Sequence, residues 1–222
     1  MTTRGRYDRA LPRSFYQRPT LDVARDLIGK YLVRSSTEGL TSGLIVEAEA
    51  YIGESDPACH ASRGRTTRND PLYGEPGHAY VYFTYGMHYL INAVTEKEGT
   101  AAAVLIRALE PVQGIDLMRA RRQAGRSGSR PEVAAHELCR GPGNLARAMG
   151  ITLDENRMDL AGSTSNTLWI EDRDQQFRDI GWSPRIGIRV GTDRLWRCFV
   201  PGHPCVSGSR ASWPGRSLQA ET

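Results

Sequence analysis

Glu47 and Glu49 stand two positions apart in the run L-I-V-E-A-E-A-Y of residues 44–51. An extended chain alternates its side chains between two faces. Both carboxylates therefore share a face with Ile45 and Tyr51, and Leu44, Val46, Ala48 and Ala50 make the opposite face apolar. Paired carboxylates are unusual in a core. The pattern fits a strand whose apolar face packs and whose acidic face lines a cleft. The stretch from Glu47 to Arg107 also holds six of the nine tyrosines (Tyr51, Tyr73, Tyr80, Tyr82, Tyr85 and Tyr89), with His60, Arg63, Arg65, Arg68, Asn92 and Arg107 among them. Singly, a tyrosine is ordinarily an amphipathic residue at a sheet edge, and an arginine a solvated surface charge. Together, electron-rich rings, guanidinium groups and a carboxylate pair suit a planar ligand stacked beside a phosphate backbone.

The elements that must position these groups can be read from spacing. Thr20 is placed to cap a helix with Leu21, Ala24, Leu27 and Ile28 at helical intervals, ended by Gly29. Strands are expected at 30–34 and 44–51. Residues 53–78 form a long irregular stretch rich in Gly and Pro, a length usually kept for function. Strands at 79–84, 89–95 and 102–109, joined at Tyr85-Gly86 and at Lys97-Glu98-Gly99, predict an antiparallel meander. Pro111 is placed to open a helix to about Arg122, and Pro142 another ending before Gly150. A basic linker at 125–131, a helix at 132–139 and short strands at 168–171, 185–190 and 196–200 complete the pattern. Strands and helices mix without regular βαβ alternation, so the fold class is α/β mixed (α+β). Residues 1–18 read as a flexible basic arm, 19–207 as one domain and 208–222 as a polar tail.

The chain has 222 residues, of which 39% are hydrophobic and 24% charged. These values exclude a collagen-like or wholly disordered chain, and the length suits one substantial core. No run approaches the roughly 18 apolar residues of a spanning helix, and the N-terminus lacks the apolar stretch of a secretory signal. A cytoplasmic location is expected, on the nucleoid in a bacterium or in the nucleus of a eukaryote, with no membrane partner. Cys59, Cys139, Cys198 and Cys205 form no C-x-x-C pair, so free buried thiols are expected and no metal site. The net charge is only +4, yet Lys30 and Lys97 are the only lysines among 29 basic residues, leaving 27 arginines. Genomic base composition can produce that bias, and a pI near 9.0 permits a polyanionic partner without demanding one.

Five blocks, in order, carry a resemblance to the alkyladenine (3-methyladenine) DNA glycosylase family: V-E-A-E-A-Y-I-G at 46–53, G-H-A-Y-V-Y-F-T-Y-G-M-H-Y-L-I-N at 77–92, L-I-R-A-L-E-P at 105–111, E-L-C-R-G-P-G-N-L at 137–145 and S-P-R-I-G-I at 183–188. The resemblance implies a single domain with a curved antiparallel sheet surrounded by helices. It implies hydrolysis of the bond between deoxyribose and a damaged purine, rotated out of double-stranded DNA. By the same resemblance, Tyr85 is the wedge that fills the vacated stack, flanked by Met87. Tyr51 and His60 face Tyr82 across the flipped base, and Asn92 disfavours the 2-amino group of guanine. Glu49 is the general base that activates water, and Arg107 keeps it ionised. Glu47 matches a second acid with a structural role. Arg63, Arg65, Arg68 and Arg140 are expected to contact DNA, and Leu72 fits a second wedge.

Strand-cleaving glycosylases attack the sugar with an amine, usually a lysine. Lys30 and Lys97 lie outside the matched blocks, so a monofunctional enzyme that leaves an abasic site is expected, without cofactor and as a monomer. Two other readings use the same residues: a non-catalytic reader of distorted duplexes, and a metal-dependent nuclease built on Glu47, Glu49 and His60.

Overall fold

A computed structural model describes residues 9–124, 131–161 and 167–208. The chain runs α1 (Arg13–Tyr16), α2 (Thr20–Leu27), β1 (Tyr31–Ser36), β2 (Gly39–Ile52), β3 (Ala79–Thr84), β4 (His88–Val94), β5 (Ala102–Gln113), α3 (Ile115–Gln123), α4 (Pro142–Met149), β6 (Leu168–Glu171), β7 (Gly181–Ser183) and β8 (Arg197–Phe199). All strands join one curved antiparallel sheet in the order β3-β4-β5-β2-β1-β6, with β7 and β8 attached through β2. The expected meander is β3-β4-β5, and the mixed α+β class holds.

β2 organises the molecule. It pairs with β5 along one edge, while its other edge pairs first with β1 and then, at Glu47–Glu49, with β8. The β2–β5 register breaks on both sides of Glu47, and Arg107 falls between the paired residues Ile106 and Ala108. Such irregularities re-aim side chains and are over-represented beside active sites. α2 lays Val23, Ala24 and Leu27 on the sheet, all fully buried. Each large apolar side chain so buried contributes about 1.5–3 kcal/mol.

Several expectations need correction. Residues 9–18 are not a loose arm: Leu11 and Tyr16 are buried in the core, and Arg13 binds the Pro76 carbonyl (2.6 Å) and Asp159 (2.7 Å). Residues 1–8, most of the 125–131 linker and 209–222 lie outside the described residues. Thr20 does not cap α2, because its hydroxyl is spent on Glu96 (2.6 Å) across to the turn after β4. Pro111 continues β5 opposite Gly43, and the helix starts only at Ile115. Only a 3₁₀ turn at Ala135–Glu137 stands where a helix was expected at 132–139. Residues 185–190 form no strand, since Gly187 takes a left-handed φ of 79° and Arg185 is turned inward. The acidic face of β2 is not open to a cleft, because Glu47 and Glu49 are both fully buried.

Candidate active site

A cavity of about 470 Å³ opens between β3, β4, β5, the N-terminal end of α4 and two loops. Tyr51, His60, Tyr80, Tyr82, Asn92 and Arg107 line it, with Tyr85 at its rim and Gly141–Asn144 and Ile186–Ile188 closing other sides. The sequence spreads these residues from Tyr51 to Ile188, and the sheet brings them together.

Glu49 stands immediately behind this wall. Its Oε1 accepts from the Ile186 backbone N–H at 2.7 Å, and its Oε2 accepts from the Tyr51 hydroxyl at 2.9 Å and Arg107 Nη1 at 3.2 Å. Burial pushes the Glu49 carboxyl above the ordinary glutamate range. Arg107, the Ile186 N–H and Tyr51 oppose that shift, and the Glu47 charge adds to it. Burial and the Glu49 charge raise the Tyr51 phenol, so its hydroxyl stays protonated and donates.

Glu47 is differently placed. Its Oε1 accepts from Arg107 Nε (3.1 Å), Arg197 Nε (2.7 Å) and the Ser207 hydroxyl (2.8 Å), and its Oε2 from the Ser207 N–H (2.8 Å). Four donors saturate this carboxylate and tie β2 to β5, β8 and the segment at Ser207. The two glutamates therefore have different capacities. Glu47 is wrapped on all sides, whereas three residues that hold Glu49 or lie beside it themselves line the cavity.

His60 Nδ1 is 2.9 Å from the Tyr80 hydroxyl, and its ring sits 4.5 Å from that of Tyr82. Burial and then Arg68 lower its pKa, which favours the neutral imidazole. Asn92, opposite Tyr80 in the β3–β4 pair, donates its amide to the Tyr80 carbonyl at 2.9 Å and is buried at the cavity wall. Leu72 is buried at the cavity lining and does not project.

The β3–β4 hairpin tip projects. Tyr85 is 80% exposed and Met87 69%, a level unusual for large apolar groups unless a partner covers them. Tyr85 and Gly86 both have positive φ (53° and 68°), and Met87 N–H closes the turn on the Thr84 carbonyl at 3.2 Å. A tyrosine held left-handed is strained, and such strain clusters at functional sites.

The candidate DNA-contacting arginines separate. Arg63 is exposed. Arg65 pairs with Asp70 (2.7 Å) and lies over the Tyr73 ring, and Arg68 donates to the Phe83 carbonyl at 3.1 Å. Arg140, next to the cavity-lining Gly141, clasps the carbonyls of Val206 and Gly208. Glu47, Glu49 and His60 do not converge: the carboxylates face guanidinium and N–H donors. Among the described residues no group of three His, Cys, Asp or Glu side chains is placed to hold a metal ion. All four cysteines are buried thiols. No helix among the described residues is long and apolar enough to cross a membrane.

Sequence reasoning missed Arg197 and Ser207, which complete the shell of Glu47, and Ile186, whose N–H reaches Glu49. The S-P-R-I-G-I run marked the last segment as a motif, but nothing in it pointed to a backbone donor.

A family model for methylpurine-DNA glycosylase matches residues 14–204. A protein of Chlorobaculum parvum, provisionally named a 3-methyladenine DNA glycosylase, is 48% identical over 94% of this chain and 96% of its own length. Similarly named proteins of Methanocella arvoryzae (50% identity; 89% of this chain, 95% of the relative) and Burkholderia lata (47%; 89% and 91%) align over the same extent.

Proposed function

The chain belongs to the methylpurine-DNA glycosylase family, and on that premise we propose that it is a monofunctional enzyme that releases alkylated and deaminated purines from double-stranded DNA. As a DNA glycosylase it is a hydrolase of N-glycosyl bonds serving DNA repair. One catalytic domain, running from the packed segment at Leu11–Tyr16 through Ser207, carries the activity, and the protein works as a monomer in the cytoplasm. The observation that carries the reading is the aromatic cavity with Glu49 held directly behind its wall.

In this mechanism the target nucleotide rotates out of the stack and Tyr85, steadied by the tight turn and flanked by Met87, fills the gap. The base enters the cavity with Tyr51 and His60 on one side and Tyr82 on the other, and the His60 and Tyr82 rings, 4.5 Å apart and in edge contact, part to admit it. Electron-rich rings favour the cationic bases produced by alkylation. Asn92 at the wall selects against guanine. Glu49 takes a proton from water as it attacks C1′ and offsets the positive charge that develops on the sugar. Arg107 holds Glu49 in place and keeps its charged form accessible. A purine alkylated at N3 or N7 already carries positive charge and leaves as a neutral base without a second protonating carboxylate, which agrees with the saturated shell of Glu47, whereas a neutral deaminated purine leaves as an anion that takes its proton from solvent. Arg63, Arg65 and Arg68, with Arg140 beside the cavity mouth, meet phosphate.

The test is incubation with duplexes carrying 3-methyladenine, 7-methylguanine, hypoxanthine or ethenoadenine in the presence of EDTA, with detection of free base. Release of free base from an unbroken strand is the expected result. Binding without release would favour a non-catalytic reader, and release abolished by EDTA would favour metal-assisted chemistry.

A further inference from the structure

Arg185 is a deeply placed charge outside the Glu47–Glu49–Arg107 group, its side chain closed off from water. It is buried and paired bidentately with the fully buried Asp56: Nη1 donates to Oδ2 at 2.5 Å and Nη2 to Oδ1 at 2.7 Å. Nη1 also donates to the Ala50 carbonyl at 2.9 Å. Arg185 does not line the cavity and has no hydrogen bond to Glu49. A buried ion pair is costly to assemble and weak evidence for stability, so its placement calls for another reason.

That reason lies in what the pair ties together. Ile186, the next residue, supplies the N–H that donates to Glu49 Oε1. The guanidinium carbon lies 4.6 Å from the centre of the Tyr51 ring, whose hydroxyl donates to Glu49 Oε2, and 5.1 Å from the centre of the Trp196 ring. Asp56 in turn accepts from the Ala58 N–H at 3.1 Å and so holds the start of the Ala58–His60 wall. One guanidinium therefore anchors the peptide that follows it, one face of Tyr51, and the loop leading to His60.

We propose that Arg185, through its pair with Asp56, is a positioning residue for base excision, fixing the two neutral donors on Glu49 and registering the Tyr51 and His60 walls of the base pocket. This rests on Glu49 being the general base. The Ile186 and Tyr51 donors favour the ionised carboxylate, so loosening them moves the protonation of Glu49 to higher pH. The Arg185 charge itself also acts on Glu49 and is kept by lysine; the other groups facing Glu49 are Arg107 from β5, Glu47 on its own strand, Cys198 and the Glu47-bound Arg197 on β8, and Tyr82 on β3. All of them are retained when Arg185 is changed.

The experiment measures single-turnover release of 3-methyladenine from a duplex across pH, with duplex binding measured separately, for Arg185→Lys and Asp56→Asn. Lysine keeps the charge and loses the fork. The expected result is a rate loss on the order of tenfold to a hundredfold, as misplacement of catalytic groups produces. The acidic limb moves to higher pH, and affinity for undamaged duplex, which leaves the base pocket unfilled, changes by less than about twofold. Arg34→Lys, which weakens the Arg34–Glu155 pair (2.7 Å) outside the cavity, serves as the stability control. An unmoved acidic limb and unchanged rate in either folded Arg185 or Asp56 variant overturns the proposal. So does the same limb shift in Arg34→Lys, which would make it a general effect of destabilisation. Glu49→Gln is run in parallel: if it keeps excision, the assignment of the base fails, whereas an inactive Glu49→Gln with an unmoved limb in Arg185→Lys rejects the positioning role alone.

Discussion

Arg107 Nη1 lies 3.2 Å from Glu49 Oε2, and both side chains are almost wholly removed from water. Burial alone would hold Glu49 protonated and useless as a base, and it would make an unpaired Arg107 intolerable. Arg107, charged in any protein setting, favours the charged form of Glu49, and Glu49 in turn compensates the buried guanidinium. The net direction for Glu49 is still upward, because desolvation outweighs the guanidinium. A carboxylate raised in this way is a stronger base than an exposed one, yet it must lose its proton before it can act. Excision should therefore decline below an acidic limb lying above the ordinary glutamate range. A rate that stays level down into that range would show that the ionisation of Glu49 does not limit the reaction.

Glu47 should matter to folding far more than to chemistry. Glu47→Ala leaves the buried heads of Arg107 and Arg197 without their shared acceptor. Breaking a buried pair from one side costs about 3–5 kcal/mol. Denaturant unfolding should register that loss. Glu47→Gln, which keeps an oxygen acceptor, should excise within about tenfold of the parent per folded molecule, below the range expected for a lost general base. A stable Glu47→Gln protein without excision would contradict the division of roles between the two glutamates.

Tyr85 should show the opposite balance. Its φ of 53° is one a glycine adopts without strain, and its side chain is mostly exposed. Tyr85→Gly is expected to leave stability unchanged or raise it by up to about 1 kcal/mol, read by thermal melting. Excision from duplex should fall by at least about tenfold, since the vacated stack is left unfilled and unstacking costs a few kcal/mol. Equal activity on duplex would remove the wedge.

Lys30 is held by Asp172 at 2.5 Å, and Lys97 is exposed on the turn between β4 and β5; neither lines the cavity. With no lysine at the cavity, borohydride should trap no covalent enzyme–DNA adduct. A trapped adduct would demand another amine and a strand-cleaving mechanism.

Much of this was legible in the residues. Alternation placed β3 at 79–84, and the Tyr85-Gly86 break marked the hairpin that carries Tyr85. The pattern around Glu47 and Glu49 located β2 but misjudged its surroundings. Alternation reports which face a residue takes, not what covers that face. Here the covers are the Ile186 peptide and Ser207, brought in from more than 130 positions away. The strand expected at 185–190 failed for a related reason: Arg185 satisfies a buried carboxylate, a tertiary demand that local propensity does not record. Pro111 misled in the same way, since a proline that opens helices elsewhere is tolerated at an irregular point of a strand.

The most direct measurement is single-turnover release of 3-methyladenine from duplex DNA by Glu49→Gln, with duplex binding measured on the same preparation. Glutamine keeps the shape of the side chain and an acceptor for the Ile186 N–H, but it cannot take a proton from water. Excision should fall by about a hundredfold or more, the range of a lost general base, while affinity for the lesion duplex is retained. Free base released at an undiminished rate would contradict the assignment of Glu49 and the mechanism built on it.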